Sequence, residues 1–474
     1  MLVFWCKGKG LLLQLSCIYE ILLLLLKVVK RCIIFIIKLY KQMAKKSDSN
    51  IIAIITMIFL FGMISFVTNL AAPIGNIWKM QPGIEGSNFW GMMGNMMNFL
   101  AYAIMGIPAG NLLKKKGYKF TAEAALLVGL VGVFVQYLSG IVGVGSTIGS
   151  IPSNFFVYLL GAFICGFAVC MLNTVVNPML KILGGKRSNQ YIQIGGSFNS
   201  LMGTLTPMLV GAMIGELVKG KSQISDVNTL LFMAMGVFAL AFIILLFVPI
   251  EDPEQTKSTD AAAANPLKYR HFILGAIAIF LYVGVEVGIP GTLNFYLSDS
   301  VKGAGLDPAK AASIAGFVAG TYWFLMLIGR LVSSTISGKV SSRTQLTCVS
   351  AVAVLFIVLA IILGNSATVS MPVFTGKGFG MVQVPICALM LVLCGLCTSV
   401  MWGTIFDLAV DGLGAATEKA AGIFMAMVVG GGIVPLVQNA IADAAGYMTS
   451  YWLLAACVAF ILYFAAIGSK VKKA

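Results

Sequence analysis

Apolar runs of about 20 residues recur from residue 51 to near the C-terminus, separated by short polar or basic stretches. At about 1.5 Å per residue, each run is long enough to cross about 30 Å of hydrocarbon as a helix. Stretches such as Ile51–Leu60 and Val349–Leu363 are apolar all round, which predicts lipid-embedded helices and argues against barrel strands, whose faces alternate with period two. The pattern places spans near 51–72, 88–112, 121–141, 154–180, 192–215 and 228–250. A second set falls near 272–296, 312–335, 345–364, 384–411, 418–440 and 449–468. The predicted fold class is an all-α polytopic membrane protein with twelve transmembrane helices in two six-helix halves, residues 43–250 and 272–474. The polar segment 251–271, which begins EDPEQTKSTD, connects them.

The first 42 residues break this pattern. The run Leu11–Leu26 is interrupted by Glu20, and Lys27, Lys30 and Arg31 precede a short run at Cys32–Ile37. No small-residue cleavage site follows, and a further span would put the two termini on opposite sides. Met43-Ala44-Lys45-Lys46 resembles a natural start, so residues 1–42 are read as an upstream extension absent from the working protein.

Composition agrees with a bilayer as solvent: 59% of the residues are hydrophobic and 10% charged. The net charge of +15 is not that of a nucleic-acid binder, because no basic patch interleaves with aromatics on a water-soluble domain. Its placement carries the meaning: roughly 19 Lys and Arg fall on one side of the spans and about 6 on the other. The rich side, with Lys114–Lys116, Lys181, Lys186, Arg187, Lys268, Arg270, Arg330, Lys339 and Arg343, is expected to be cytoplasmic, with both termini there and the chain in a bacterial cytoplasmic (inner) membrane. The ten cysteines sit mostly in apolar segments, and the close pair Cys394 and Cys397 reads as packing thiols. With His271 the sole histidine, neither a His-based metal site nor a Ser-His-Asp triad has support, and no enzyme chemistry, cofactor or metal is expected.

A charge in hydrocarbon costs about 2.5–3.5 kcal/mol on insertion scales, so intramembrane polar residues are functional candidates. Glu286, within YVGVEVGIPG (282–291), falls near mid-membrane. It is a substrate ligand, a proton carrier or a structural hydrogen-bonding group. Asn173 and Asn177, four residues apart, share a helix face. Amides offer donors and acceptors without charge, which suits a hydroxyl-rich ligand. Asn69 and Asn199 are similar candidates, and Asn294, Tyr322, Trp323, Trp402, Gln438 and Asn439 could complete the lining. For each, the competing reading is a helix-to-helix bond or an interfacial anchor. Asp407 and Asp411, on one face of the tenth span, are expected to pair with Arg330 or Lys339 as a conformational latch. No basic residue is expected at mid-depth, which favours a neutral solute over an organic anion.

These residues lie in segments that resemble a known family when taken in order: FLFG and VTNLAAP (59–73), IPAGNLLKKKGYK (107–119), LNTVVNP (172–178), SFNS (197–200), FLYVGVEVGI (280–289), IGRL (328–331), and TIFDLAVDGLG, GGGIVP and AGYM (404–448). The chain resembles the major facilitator superfamily, and within it the fucose-galactose-glucose/proton symporter family. The resemblance implies alternating access, with a sugar held between the halves. It also implies two departures. The family's fucose-transporting pattern has Asp at the place of Asn69 and Glu at the place of Asn173, carboxylates tied to proton coupling and sugar binding. A glutamine before SFNS is replaced by Gly196. Amides keep a sugar contact but cannot titrate, so coupling would rest on Glu286, which has counterparts in several members. The expected function is transport of a small neutral sugar, a hexose or deoxyhexose, with protons as cosubstrate or as passive uniport. The competing reading is a facilitator-type carrier or efflux pump for another small polar or amphipathic solute.

Overall fold

The computed structural model describes residues 48–184, 188–214, 217, 222–248, 265–336, 340–374, 379–413 and 416–471. The expected extension 1–42, connector residues 251–264, and Lys186, Arg187 and Lys339 lie outside the described residues. The N-terminal half contains α1 (Asp48–Thr68), α2 (Ala71–Trp78), α3 (Asn88–Leu138), α4 (Ser153–Gly184), α5 (Ser188–Ile214) and α6 (Asn228–Phe247). The C-terminal half contains α7 (Arg270–Ser298), α8 (Pro308–Ile336), α9 (Ser342–Leu363), α10 (Ile386–Thr398), α11 (Met401–Val410), α12 (Thr417–Met427), α13 (Gly430–Ala445) and α14 (Tyr447–Tyr463).

Ten of the described helical segments are long and apolar enough to cross a membrane. One of them, α3, has 51 residues and would run about 77 Å if straight, over twice the hydrocarbon thickness. It breaks at Gly117, whose φ of +85° is open to glycine and strained for other residues, so it supplies two spans. The 27-residue α5 is also of spanning length, and its Gln, Ser, Asn and Thr content dilutes its apolarity. These two additions bring the ten segments to the twelve expected.

The first span is longer than its sequence pattern suggested, because α1 and α2 run on as one segment, Ile51–Trp78, through a local break at Asn69 and Leu70. Lys79 therefore stands directly at a membrane mouth. α10/α11 and α12/α13 are also paired pieces of single spans, Ile386–Val410 and Ala420–Ala445. Strands were not expected, yet two antiparallel hairpins form in loops at the end opposite the basic loops. They are β1 (Thr147–Ile148) with β2 (Ile151–Pro152), and β3 (Thr368–Phe374) with β4 (Phe379–Pro385), where Thr368 faces Pro385.

The halves meet chiefly where α5 packs on α8 and where α3 packs on α12 and α13. The α5–α8 seam depends on missing side chains. A Cβ on Gly211 would lie 2.5 Å from the Ala312 carbonyl oxygen, and one on Gly320 would lie 2.6 Å from that of Thr204. Backbones approach this closely only where a residue adds no bulk. At the other seam, Pro435 cannot donate to the Gly431 carbonyl one turn earlier. Asn95 of the opposite half fills that vacancy, with Nδ2 2.8 Å from the Gly431 oxygen. Gly320→Leu should wedge α5 from α8 and destabilise the protein by about 1–3 kcal/mol, read as a lower unfolding midpoint in detergent.

Candidate functional site

Glu286 on α7 forms an ion pair with Arg330 of α8, Oε1 to Nη2 at 3.7 Å, with both side chains largely buried. Arg330 also donates from Nη1 to the Gly196 carbonyl of α5 at 2.7 Å, so one guanidinium touches both halves. Tyr282, one turn before Glu286 on the same helix, donates to the Thr398 carbonyl at 3.3 Å. The Thr398 hydroxyl lies 2.9 Å from that of Tyr322. Trp402 stands 6.2 Å from the Tyr282 ring and Trp323 5.7 Å from the Tyr322 ring, centre to centre. Four of the residues singled out in the sequence (Glu286, Tyr322, Trp323 and Trp402) thus gather at one place. Tyr282 and Thr398 were missed, because a single tyrosine or threonine in an apolar run is as ordinary in helix packing as in a site.

The N-terminal half contributes amides. Asn173 donates to the Tyr102 hydroxyl at 2.7 Å, and Asn199 to the Phe61 carbonyl at 2.8 Å. Asn69 donates to the Ser65 carbonyl on its own helix at 2.9 Å. Each keeps its amide oxygen for another partner. Asn173, Thr174, Asn177 and Pro178 form a half-buried stripe on α4 leading to exposed Lys181, and on α11 Trp402 and Phe406 are half-buried beside exposed Gly403 and Asp407.

Three expectations are corrected. Asp407 does not pair with Arg330, and the alternative partner Lys339 lies outside the described residues; Asp407 accepts from the Ser342 hydroxyl at 2.6 Å, and the Asp411 carbonyl accepts from His271 Nε2 at 2.9 Å. Arg330 is occupied by Glu286 and Gly196 instead, because its long side chain reaches past its own Cα position. For the same reason the expectation of no basic group at depth fails. Asn294, expected to line the cavity, is buried and accepts from Asn76 Nδ2 of the other half at 2.6 Å. Asn439 donates to Thr292 at 3.0 Å and to the Pro435 carbonyl at 2.8 Å. Gln438 is fully buried, with neither amide atom bonded to protein.

Among the described residues, a cluster of bonds between the halves lies at the end opposite the basic loops. Asp443, at the end of α13, accepts from the Ser87 hydroxyl at 2.8 Å and from the backbone N–H groups of Asn88 and Phe89 at 2.8 and 2.9 Å. A carboxylate of one half therefore caps the N-terminus of α3 in the other, meeting its unpaired N–H groups and positive dipole end. Lys79 donates to Asn88 Oδ1 and, at 3.3 Å, to the Tyr447 hydroxyl. That hydroxyl lies 2.8 Å from Asn88 Oδ1 and 3.1 Å from Asp299 Oδ2, with one hydrogen to give. Lys79 also stands 4.5 Å over the Phe295 ring. Burial pulls its ammonium down to about 8, against the attraction of Asp299 and Asp443 and with repulsion from Lys302. Burial tends to raise the Asp299 carboxyl, but the Lys302 N–H, the Lys79 charge, the Val301 N–H and the Tyr447 hydroxyl together hold it below its ordinary value. At the basic end, the bonds of Asp407, His271, Arg343 and Lys119 each stay within one half.

Twelve membrane-length segments in two halves, with a charged and amide-bearing zone between them and a latch at one end, define an integral membrane carrier of the rocking type. The chain belongs to the Major Facilitator Superfamily, whose sequence profile matches residues 52–434. It is 28% identical over 425 residues to the glucose/galactose transporter of Brucella abortus biovar 1 (strain 9-941), covering 87% of this chain and 92% of that one. It is 22% identical over 442 residues to the L-fucose-proton symporter of Escherichia coli (strain K12), covering 88% and 92%. Among solved structures it shares its fold with FucP in the outward conformation, at a TM-score of 0.63 and 20% identity over 89% of this chain and 100% of that one. The xylose transporter XylE from E. coli, partially occluded and inward open, matches at a TM-score of 0.65 and 10% identity over 87% and 98%.

Asp443→Asn should shift the equilibrium about two- to fivefold toward opening of the latched end, read from spin-label distances across it. The pH response follows from Lys79, whose pKa is about 8 when shut in and returns toward its ordinary 10.5 when opened to water. Between those values the open form binds more protons, so rising pH favours the latched form. The latched population should grow from pH 7 to pH 10, and Lys79→Met should flatten that response.

Proposed function

We propose that the chain carries a small neutral sugar, a hexose or deoxyhexose, by alternating access, with its basic end facing the cytoplasm of a bacterial inner membrane and both termini on that side. The single observation that carries the choice of solute is the Glu286–Arg330 pair. Because the guanidinium is neutralised within the protein, the accessible stripes offer amides, a hydroxyl and an indole ring, with the described positive charge of Lys181 only at the end of the α4 stripe. Asn173, Asn177 and Asn199 match hydroxyl groups with both donors and acceptors, and Trp402 supplies a flat face for the C–H side of a sugar ring. Gln438, buried without a protein partner, adds an amide that a ligand or water in the C-terminal half would satisfy. The relatives named as glucose/galactose transporter and L-fucose-proton symporter support the same solute class.

The latched outer end and the accessible polar stripes on α4 and α11 suit an inward-facing member of the transport cycle. Proton coupling, in this reading, rests on Glu286, since Asn69 and Asn173 do not titrate. Purified protein in proteoliposomes should exchange labelled D-glucose or D-galactose; no counterflow of any hexose or deoxyhexose would refute the sugar assignment. Asn173→Ala should weaken sugar affinity about tenfold, the size of a lost hydrogen bond to a hydroxyl. Sugar-driven alkalinisation of the medium should disappear in Glu286→Gln while exchange stays measurable. Wild-type protein that moves no protons with sugar would make the carrier a passive uniporter.

A further inference from the structure

We propose that the segment joining α3 to α4, residues 139–152, is a lipid anchor that lies in the headgroup layer of the bilayer at the end opposite the basic loops. The proposal goes beyond transport and does not depend on the solute. No residue from Ala124 to Leu180 is charged, so two spans and the turn between them form one uncharged stretch. The other long connectors at the same end, residues 79–87, 215–227, 299–307 and 364–385, each carry at least one charged residue. Connectors bathed in water are where charged residues ordinarily collect. Within this turn Ile141, Val142, Val144 and Ile148 are between 49% and 62% exposed. One exposed aliphatic side chain is ordinary, whereas four in so short a segment form a patch that calls for a partner.

Continuity with the surrounding surface identifies that partner. Beyond the break at Gly117, the rest of α3 runs about 32 Å at 1.5 Å per residue, which crosses about 30 Å of hydrocarbon and ends at its boundary. Leu127, Val131 and Phe134 are exposed along it, at the alternating spacing of four and three that marks one face of a helix. The next positions at that spacing are 138 and 141, so the lipid-facing stripe arrives at Ile141. On the other side of the turn, Phe156 and Leu160 of α4 are exposed one helical turn apart. The patch therefore lies between two lipid-facing faces. Its backbone is satisfied internally: Ile141 and Val142 donate to the Leu138 carbonyl at 2.9 and 2.7 Å, Ser153 to the Ser146 carbonyl at 2.9 Å, and Asn154 Nδ2 to the Ser139 carbonyl at 3.1 Å. Gly143 and Gly145, both at φ +78°, turn the chain where other residues would be strained. Such a turn can enter the boundary layer without stranding polar groups. The exposed hydroxyls of Thr147 and Ser150 suit the phosphate and ester oxygens found there. In the C-terminal half the equivalent connector turns Met371, Val373 and Val384 into the protein, so among the described residues the anchor belongs to the N-terminal half.

The test uses the full chain in nanodiscs of phosphatidylethanolamine and phosphatidylglycerol, one copy per disc, in a background without the native cysteines. Val142→Cys and Val144→Cys each carry a nitroxide label. Val301→Cys, at a highly exposed position between Asp299 and Lys302, gives the reference for an apolar position in a charged connector of the same end. At 142 and 144, collisions with oxygen, which concentrates in lipid, should outnumber those with a nickel chelate, which stays in water. At 301 the order should reverse. Ile141→Asp puts a charge into the patch and should bring the oxygen-to-nickel ratio at 144 down toward that at 301. Ile141 is exposed, so this substitution leaves the core packing in place. Nickel accessibility at 142 and 144 equal to that at 301 would overturn the proposal, as would an unchanged ratio at 144 in Ile141→Asp. Shielding seen only in discs that hold two copies would also overturn it, by assigning the patch to contact between copies.

Discussion

A polar group in hydrocarbon has no water to turn to, so each one must find a partner in the protein or mark a place where water and solute enter. Most of this structure can be read from that constraint. Glu286 meets Arg330, the carbonyl freed by Pro435 meets Asn95, and the open N-terminus of α3 meets Asp443. In each case the donor and acceptor come from different helices, and in the last two from different halves. The partners therefore do more than hold the fold. They specify which relative position of the halves satisfies the most groups.

Among the described residues, the satisfaction is uneven along the membrane normal. At the end opposite the basic loops, Asp443, Tyr447, Asn294 and Ser298 of one half bond to Ser87, Asn88, Lys79 and Asn76 of the other. At the basic end, Asp407 and Arg343 bond within their own half. Such an arrangement is stable without being locked. The bonds at the end opposite the basic loops are short-range and replaceable by water, while the glycine-lined seam of α5 and α8 keeps the halves in contact. Burying the Lys79 ammonium works against the latch, which holds the closed state near balance rather than at the bottom of a deep well. A carrier needs that balance, since a state stabilised too far would not exchange with its counterpart.

The spans were legible in the sequence because lipid imposes one requirement, sustained apolarity, over lengths that local pattern can measure. Glu286 was legible for the same reason in reverse: a carboxylate inside YVGVEVGIPG contradicts its surroundings. What failed was depth. Arg330 was assigned to the basic mouth from the position of its Cα, whereas its reach carries the charge to Glu286. The latch around Lys79 was not visible at all, because Lys79, Asn88 and Tyr447 are separated by up to 368 residues and each looks ordinary in a loop or helix end. The hairpin of β3 and β4 was hidden by its apolar content, which reads like the fringe of a span. Asn294 was noticed correctly as an intramembrane amide, but sequence cannot distinguish a bond that closes a cavity from one that faces it.

The amides at Asn69 and Asn173 leave Glu286 as the acid on which coupling depends in this account, and they keep a hydrogen-bonding face on the N-terminal half. The central claim is that this face is exposed to one side of the membrane at a time. Its most direct test is cysteine accessibility at position 177, in a background without the native cysteines, with a membrane-impermeant maleimide added from either side. Rapid modification from the basic side, slow modification from the other, and a change in that ratio when D-glucose or D-galactose is present are the expected results. Equal modification from both sides, indifferent to sugar, would contradict the claim.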